Sequence, residues 1–260
     1  MITTINPGTQ NVLKHYQAIV IGNTTVRCPY FNNKKTNIRG ALRVLIGKGS
    51  PEDIEEEALL IGLREKIDLT KLDAVQAKKF LVDHFLGVDC SAFMYYMLEA
   101  EVAAQKKKPL KKILHFPFAK GLRRIIAACR PVENLNVQTL AHPKNSVEIS
   151  LSEVQPGDMI CMIGTGKDHT LDHVLIITEV ETQGDSVVRI AYAHSLNWST
   201  DGKYDTGIRL GEIQIHNATA GLQEQTWQEN NKTGTENETL FRAKTANNLS
   251  IRRLKTLIHE

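Results

Sequence analysis

The sequence predicts an α+β fold, with helices leading into an antiparallel sheet, and two observations carry that expectation. Between residues 51 and 100 the apolar residues recur at helical spacing, whereas after Pro156-Gly157-Asp158 they fall in short β-branched runs divided by turn residues. A chain of 260 residues with 42% hydrophobic and 23% charged residues can bury a sizeable core without staples. Its four cysteines, Cys28, Cys90, Cys129 and Cys161, include no CxxC pair, which excludes a zinc ribbon or a thioredoxin-type motif.

Residues 1 to 36 read as polar and irregular, with a β-like run at 17–21 and a turn-rich stretch, Pro29-Tyr30-Phe31-Asn32-Asn33. Ser50-Pro51-Glu52-Asp53 supplies an N-cap, a proline at the first helical position and an acid at the third, and so opens a helix through Ile67. A second helix starts near Asp73 and runs through Phe80 to Phe85, with Leu72, Val75, Phe80, Leu81 and Phe85 near one face, until Gly87 breaks the pattern. Asp89-Cys90-Ser91 opens a third, in which Phe93, Tyr96, Met97 and Ala100 recur at helical spacing. Strands follow at 159–163, 174–180, 186–193, 208–215 and 250–258, while 217–248 reads as a long polar loop or irregular hairpin. No repeat and no linker divides the chain, so one α+β domain carrying a helical insertion is expected.

The net charge is +3, yet Lys106 to Arg130 holds nine Lys or Arg residues and no Asp or Glu. The plain reading is a solvated face of a helix hairpin. The functional alternative is an electrostatic site for an anionic polymer: cell-wall glycan, lipid headgroups or nucleic acid. Nucleic acid is the weakest of these, because only Phe116 and Phe118 are interleaved for stacking. No run reaches the ~18 to 20 apolar residues of a membrane span. The N-terminus lacks the basic and apolar regions of a secretory signal, so a cytoplasmic location is expected, with non-classical release to the cell wall as the alternative.

A cysteine nucleophile needs an activated thiol, a base within hydrogen-bond reach and a third group to orient that base. Cys90 sits in the first turn of a helix, whose free amides and dipole favour thiolate, although Asp89 opposes this. His173 precedes one strand and His194 follows the next. With a two-residue turn at Gln183-Gly184 the two imidazoles lie directly opposite each other, Cβ atoms about 5 Å apart, so that one can orient the other.

Four stretches, 87–93 (Gly-Val-Asp-Cys-Ser-Ala-Phe), 154–160 (Val-Gln-Pro-Gly-Asp-Met-Ile), 172–176 (Asp-His-Val-Leu-Ile) and 193–195 (Ala-His-Ser), together resemble the NlpC-type family of cell-wall cysteine peptidases. The resemblance covers the second half of the chain and the helix at Cys90. It implies a papain-like fold over residues 1–260, N-terminal helices packed on a central antiparallel sheet, with 101–150 a basic helical insertion. It also implies a Cys-His-His site: Cys90 as nucleophile, His173 as general base and acid, His194 as orienting residue. The implied substrate is the peptidoglycan stem peptide, cut between D-γ-glutamate and a diamino acid, with no cofactor and no metal. Tyr30 matches a family tyrosine that polarises the scissile carbonyl, and Asp89 and Ser91 match positions that hold the free amine of a stem peptide. Ala92 and Leu175 stand where the family carries glycine, and the basic insertion separates Cys90 from His173 by 83 residues.

The departures at Ala92 and Leu175 keep open a catalytically silent peptide- or glycan-binding module, and a thiol acyltransferase is a further alternative because related papain-like folds transfer acyl groups. Cys129 and Cys161 read as small core hydrophobes. His169 and His173 have the i, i+4 spacing of a helical zinc pair, but Gly164, Gly166 and the following β run argue against a helix there.

Overall fold

The computed structural model describes residues 1–33, 43–106 and 108–258. Lys107 of the basic run therefore lies outside the described residues. Strand β1 (Ile2–Thr4) leads into helix α1 (Pro7–Gln17), capped by the Asn6 side chain on the Thr9 amide. This helix stands where an irregular segment is expected: its surface is polar, so only the cap and Pro7 at the first turn announce it. A short hairpin, β2 (Ile19–Ile21) and β3 (Thr24–Val26), follows.

Helix α2 (Pro51–Glu65) opens with the reciprocal capping box of Ser50 and Asp53 that its sequence predicts, and ends with Lys66 in the left-handed region. Helix α3 (Ala74–Asp83) is boxed by Asp73 and Gln76 and stops two residues before Phe85, which takes a positive φ. Helix α4 (Cys90–Lys106) is buried on most sides, with Phe93, Met94, Met97 and Leu98 inaccessible to solvent.

The basic segment is not a helix hairpin. It forms a 3₁₀ turn at Leu110–Lys112 and one helix, α5 (Leu122–Cys129), followed by the short helices α6 (Pro131–Asn134) and α7 (Val137–Ala141). Strand β4 (Ser146–Glu148) then returns the chain to the sheet.

The second half builds the sheet from β5 (Met159–Thr165), β6 (Leu171–Gln183), β7 (Ser186–Leu196), β8 (Gly207–Gln214), β9 (Thr226–Glu229), β10 (Lys232–Thr233) and β11 (Asn248–Leu254), with helix α8 (Glu238–Thr245) before the last. Its order is β10-β9-β8-β7-β6-β5-β11-β4, with β1 also paired to β6, and every pairing is antiparallel. One core lies between α4 and the Cys161, Val174 and Ile176 face of the sheet. A second fills the opposite face, where Leu175, Tyr192 and Trp227 pack with Leu240 and Ala243 of α8. An α+β architecture with a sheet covered on both faces is what alternating apolar residues on both sides of a strand require.

Two expectations are corrected by these strands. The β6–β7 turn is Gly184-Asp185, with Gln183 opposite Ser186, and Ile176 pairs with Ala193. His173 and His194 are therefore offset diagonally by two positions; a shift of two keeps both on one face, where a shift of one would have separated them. The stretch 217–248 is not a long loop: it holds the short hairpin β9–β10, as its other expected reading had it, and helix α8, which was not expected.

Candidate functional site

The nucleophile position is set by a short cross-braced segment. Val88 bridges Tyr30 on one side and Lys48 on the other, and the Val88 amide donates to the Pro29 carbonyl at 3.0 Å. A Cβ on Gly87 would meet that carbonyl oxygen at 2.5 Å, so only glycine admits the approach. The Ser195 hydroxyl donates to the Val88 carbonyl at 2.7 Å and ties the segment to β7. Asp89 then caps α4 by accepting from the Ala92 amide at 2.8 Å, which places Cys90 in the first turn.

Cys90, His173, Tyr30, Asp89 and Ser91 line one cavity of about 630 Å³. Its far wall is made by Glu133 to Val137, on α6, α7 and the link between them, and Arg242 of α8 faces the same space. Burial, then the Asp89 carboxylate, push the Cys90 thiol up to about 12, against the opposing pull of Lys48 and the Val174 amide. Burial, then the charges of His194 and Arg242, hold His173 well below its ordinary 6.5. The thiol and the imidazole are thus both neutral at rest; they line the same cavity, and no hydrogen bond joins them among the described residues. The Tyr30 phenol is also raised, first by burial and then by its proximity to Cys90 and Asp89.

His173 Nε2 lies 2.7 Å from His194 Nδ1. His194 Nε2 in turn lies 3.0 Å from Glu229 Oε2, and all three side chains are buried. Glu229 is a residue the sequence reading missed. Burial alone would raise it, but the charge and hydrogen bond of His194, the Tyr192 hydroxyl at 2.9 Å and Arg209 hold it below the usual carboxylate range. Arg209 pairs with Asp201 and stacks on Trp198, its guanidinium carbon 4.4 Å from the ring centre.

An ionised carboxylate only accepts hydrogen bonds, so His194 must carry its proton on Nε2. When His194 is neutral, its Nδ1 accepts from His173 Nε2–H, and His173 Nδ1 is left with a lone pair. Glu229 thereby sets the tautomer of both rings and leaves a base at the one nitrogen not committed to the relay. The signal for its strand lies in Asn230-Asn231, a two-residue turn with both φ positive between Glu229 and Lys232.

Asp89 and Ser91 are already engaged. Lys48 Nζ lies 2.8 Å from Asp89 Oδ2, 2.6 Å from Ser91 Oγ and 3.4 Å from the Leu135 carbonyl, all in a buried setting. Arg242, by contrast, has no ion-pair partner among the described residues. Leu175 is fully buried in the second core and is not one of the cavity-lining residues. Cys161 and Cys28 are buried, whereas Cys129 is exposed at the end of α5, so a core role does not apply to it. Among the described residues no cluster of His, Cys, Asp and Glu could hold a metal. No family model, curated protein or solved structure matches this chain.

Proposed function

We propose that the chain is a papain-like cysteine peptidase of the NlpC type, hydrolysing peptidoglycan stem peptides at the D-γ-glutamyl-diamino acid bond. The observation that carries this reading is the buried relay from Glu229 through His194 to His173, which ends in the cavity that Cys90 lines. A histidine in the core needs no such sequence of partners, and a general base does.

On this reading His173 Nδ1 takes the proton from Cys90 Sγ as the sulfur attacks the scissile carbonyl carbon. The Cys90 amide, in the first turn of α4 and without a helical acceptor, and the Tyr30 hydroxyl stabilise the oxyanion. The tetrahedral adduct collapses, the C–N bond breaks, and His173 returns the proton to the leaving amine. Water, deprotonated by His173, then cleaves the thioester to the free carboxylate and thiol. Arg242, with no ion-pair partner among the described residues, offers a cation to a carboxylate of the peptide, which suits a glutamyl substrate.

The test is incubation with a stem tetrapeptide followed by mass spectrometry. Cleavage at the γ-glutamyl bond that Cys90→Ala abolishes is the expected result. Cleavage that survives Cys90→Ala removes the nucleophile assignment. Absence of cleavage with retained peptide binding indicates the silent module, and an amide product formed only with an added amine or aminolipid indicates the acyltransferase.

A further inference from the structure

The least expected surface in this protein is α5. From Lys120 to Ile126 every residue is exposed, and Ala127 alone is buried within the helix. Leu122, Ile125, Ile126 and Cys129 fall at i, i+3, i+4 and i+7, the spacing of an apolar stripe. That stripe points away from the core: Leu122 is 79% exposed, Ile125 62% and Ile126 52%, with Phe118 beside them at 59%. An apolar stripe of this size left uncovered marks an interaction surface.

The charge around it selects the occupant. Every described Lys or Arg from Lys108 to Arg130 is exposed, and the segment contains no acid. The nearest acid in sequence, Glu133, is paired with Arg130 at 3.0 Å. A second copy of this chain would bring the same cations against these, so self-association is opposed. An anionic bilayer presents what both halves of the surface need, phosphate charge for the cations and acyl chains for the stripe. No described helix is long and apolar enough to cross a membrane, and α5, with eight residues, fits only in the interfacial plane.

We infer that α5 and the basic segment around it dock on an anionic lipid bilayer, with Leu122, Ile125 and Ile126 inserted and the flanking cations on the headgroups. The groove beneath α5 has a volume of about 520 Å³ and shares Asn134 and Asn136 with the cavity of Cys90. The helix that meets the bilayer is thus one groove away from the wall of that cavity. The surface itself stands apart from the peptidase reading, because none of its residues belongs to the relay.

Co-sedimentation of the full chain with vesicles tests this, using phosphatidylcholine alone and phosphatidylcholine with about one-third phosphatidylglycerol. The chain is expected to pellet with the anionic vesicles only, and Ile125→Asp and Arg123→Glu are each expected to weaken binding about tenfold. Cys90→Ala should bind as the parent does. Leu122→Ser, at the most exposed position, serves if Ile125→Asp shifts the melting temperature. No pelleting with anionic vesicles overturns the proposal. So does Ile125→Asp binding equal to the parent, which would mean a polyanion site only, or a dimer in sedimentation velocity that Ile125→Asp dissociates.

Discussion

Glu229 determines where a proton can go in this site. Glu229→Gln keeps the shape but adds an amide donor, which can present N–H to His194 Nε2 and reverse the polarity of the relay. On the peptidase reading it lowers kcat by about a hundredfold, at the low end of what a general base supplies, with KM little changed in steady-state kinetics. The pH profile gives a second readout. Because His173 is held below 6.5, the base stays unprotonated into mild acid, and the acid limb of kcat/KM is expected below pH 6.5. A limb at or above that value would show that His173 is not the group that titrates. Cys90, His173 and His194 were legible in the sequence because each sits in a short motif of distinctive residue types. Lys48 and Glu229 were not, since a single lysine in Gly-Lys-Gly and a glutamate in a polar run carry no local pattern, and only the fold brings them to the site.

The strands that carry the relay depend on one absent side chain. Tyr192 on β7 is paired with Gly211 on β8, and Gly211 with Glu229 on β9. The phenol ring crosses over Gly211 to reach the carboxylate, and a Cβ there would sit 2.3 Å from the ring. Gly211→Ala is expected to destabilise the protein by about 1 to 3 kcal/mol, as overpacking does, measured by denaturant unfolding. It should also free Glu229 from one donor. Helix α2 was legible to the residue at its start, because Ser50 combines a cap with an acid three positions on, and α3 to within a residue of Asp73. The hairpin β6–β7 was legible in outline but not in register: its two bulges cancel, and the offset of two comes from a turn at Gly184-Asp185 in place of Gln183-Gly184. Strands β9 and β10 escaped because four and two residues are too few for periodicity to show.

At the scale of the molecule, a base buried neutral ties stability to pH. The unfolded chain takes up a proton on His173 near 6.5, and the folded chain resists doing so until lower pH. Its contribution is complete above that value and is lost as pH falls through it, at up to about 1.4 kcal/mol per pH unit. Denaturant midpoints are expected to decline between about pH 7 and about pH 5, and His173→Gln to flatten that slope. An unchanged slope in the variant would assign it to other groups. The sheet also sets an order on synthesis. Strand β4 touches it only through β11, which lies between β4 and β5 although the two flanking strands are made far earlier. On the ribosome β4 must wait, without its strand partner, until residues 248–254 emerge, whereas α6 and α7, which carry the cavity wall, can already pack on α4, β5 and β6.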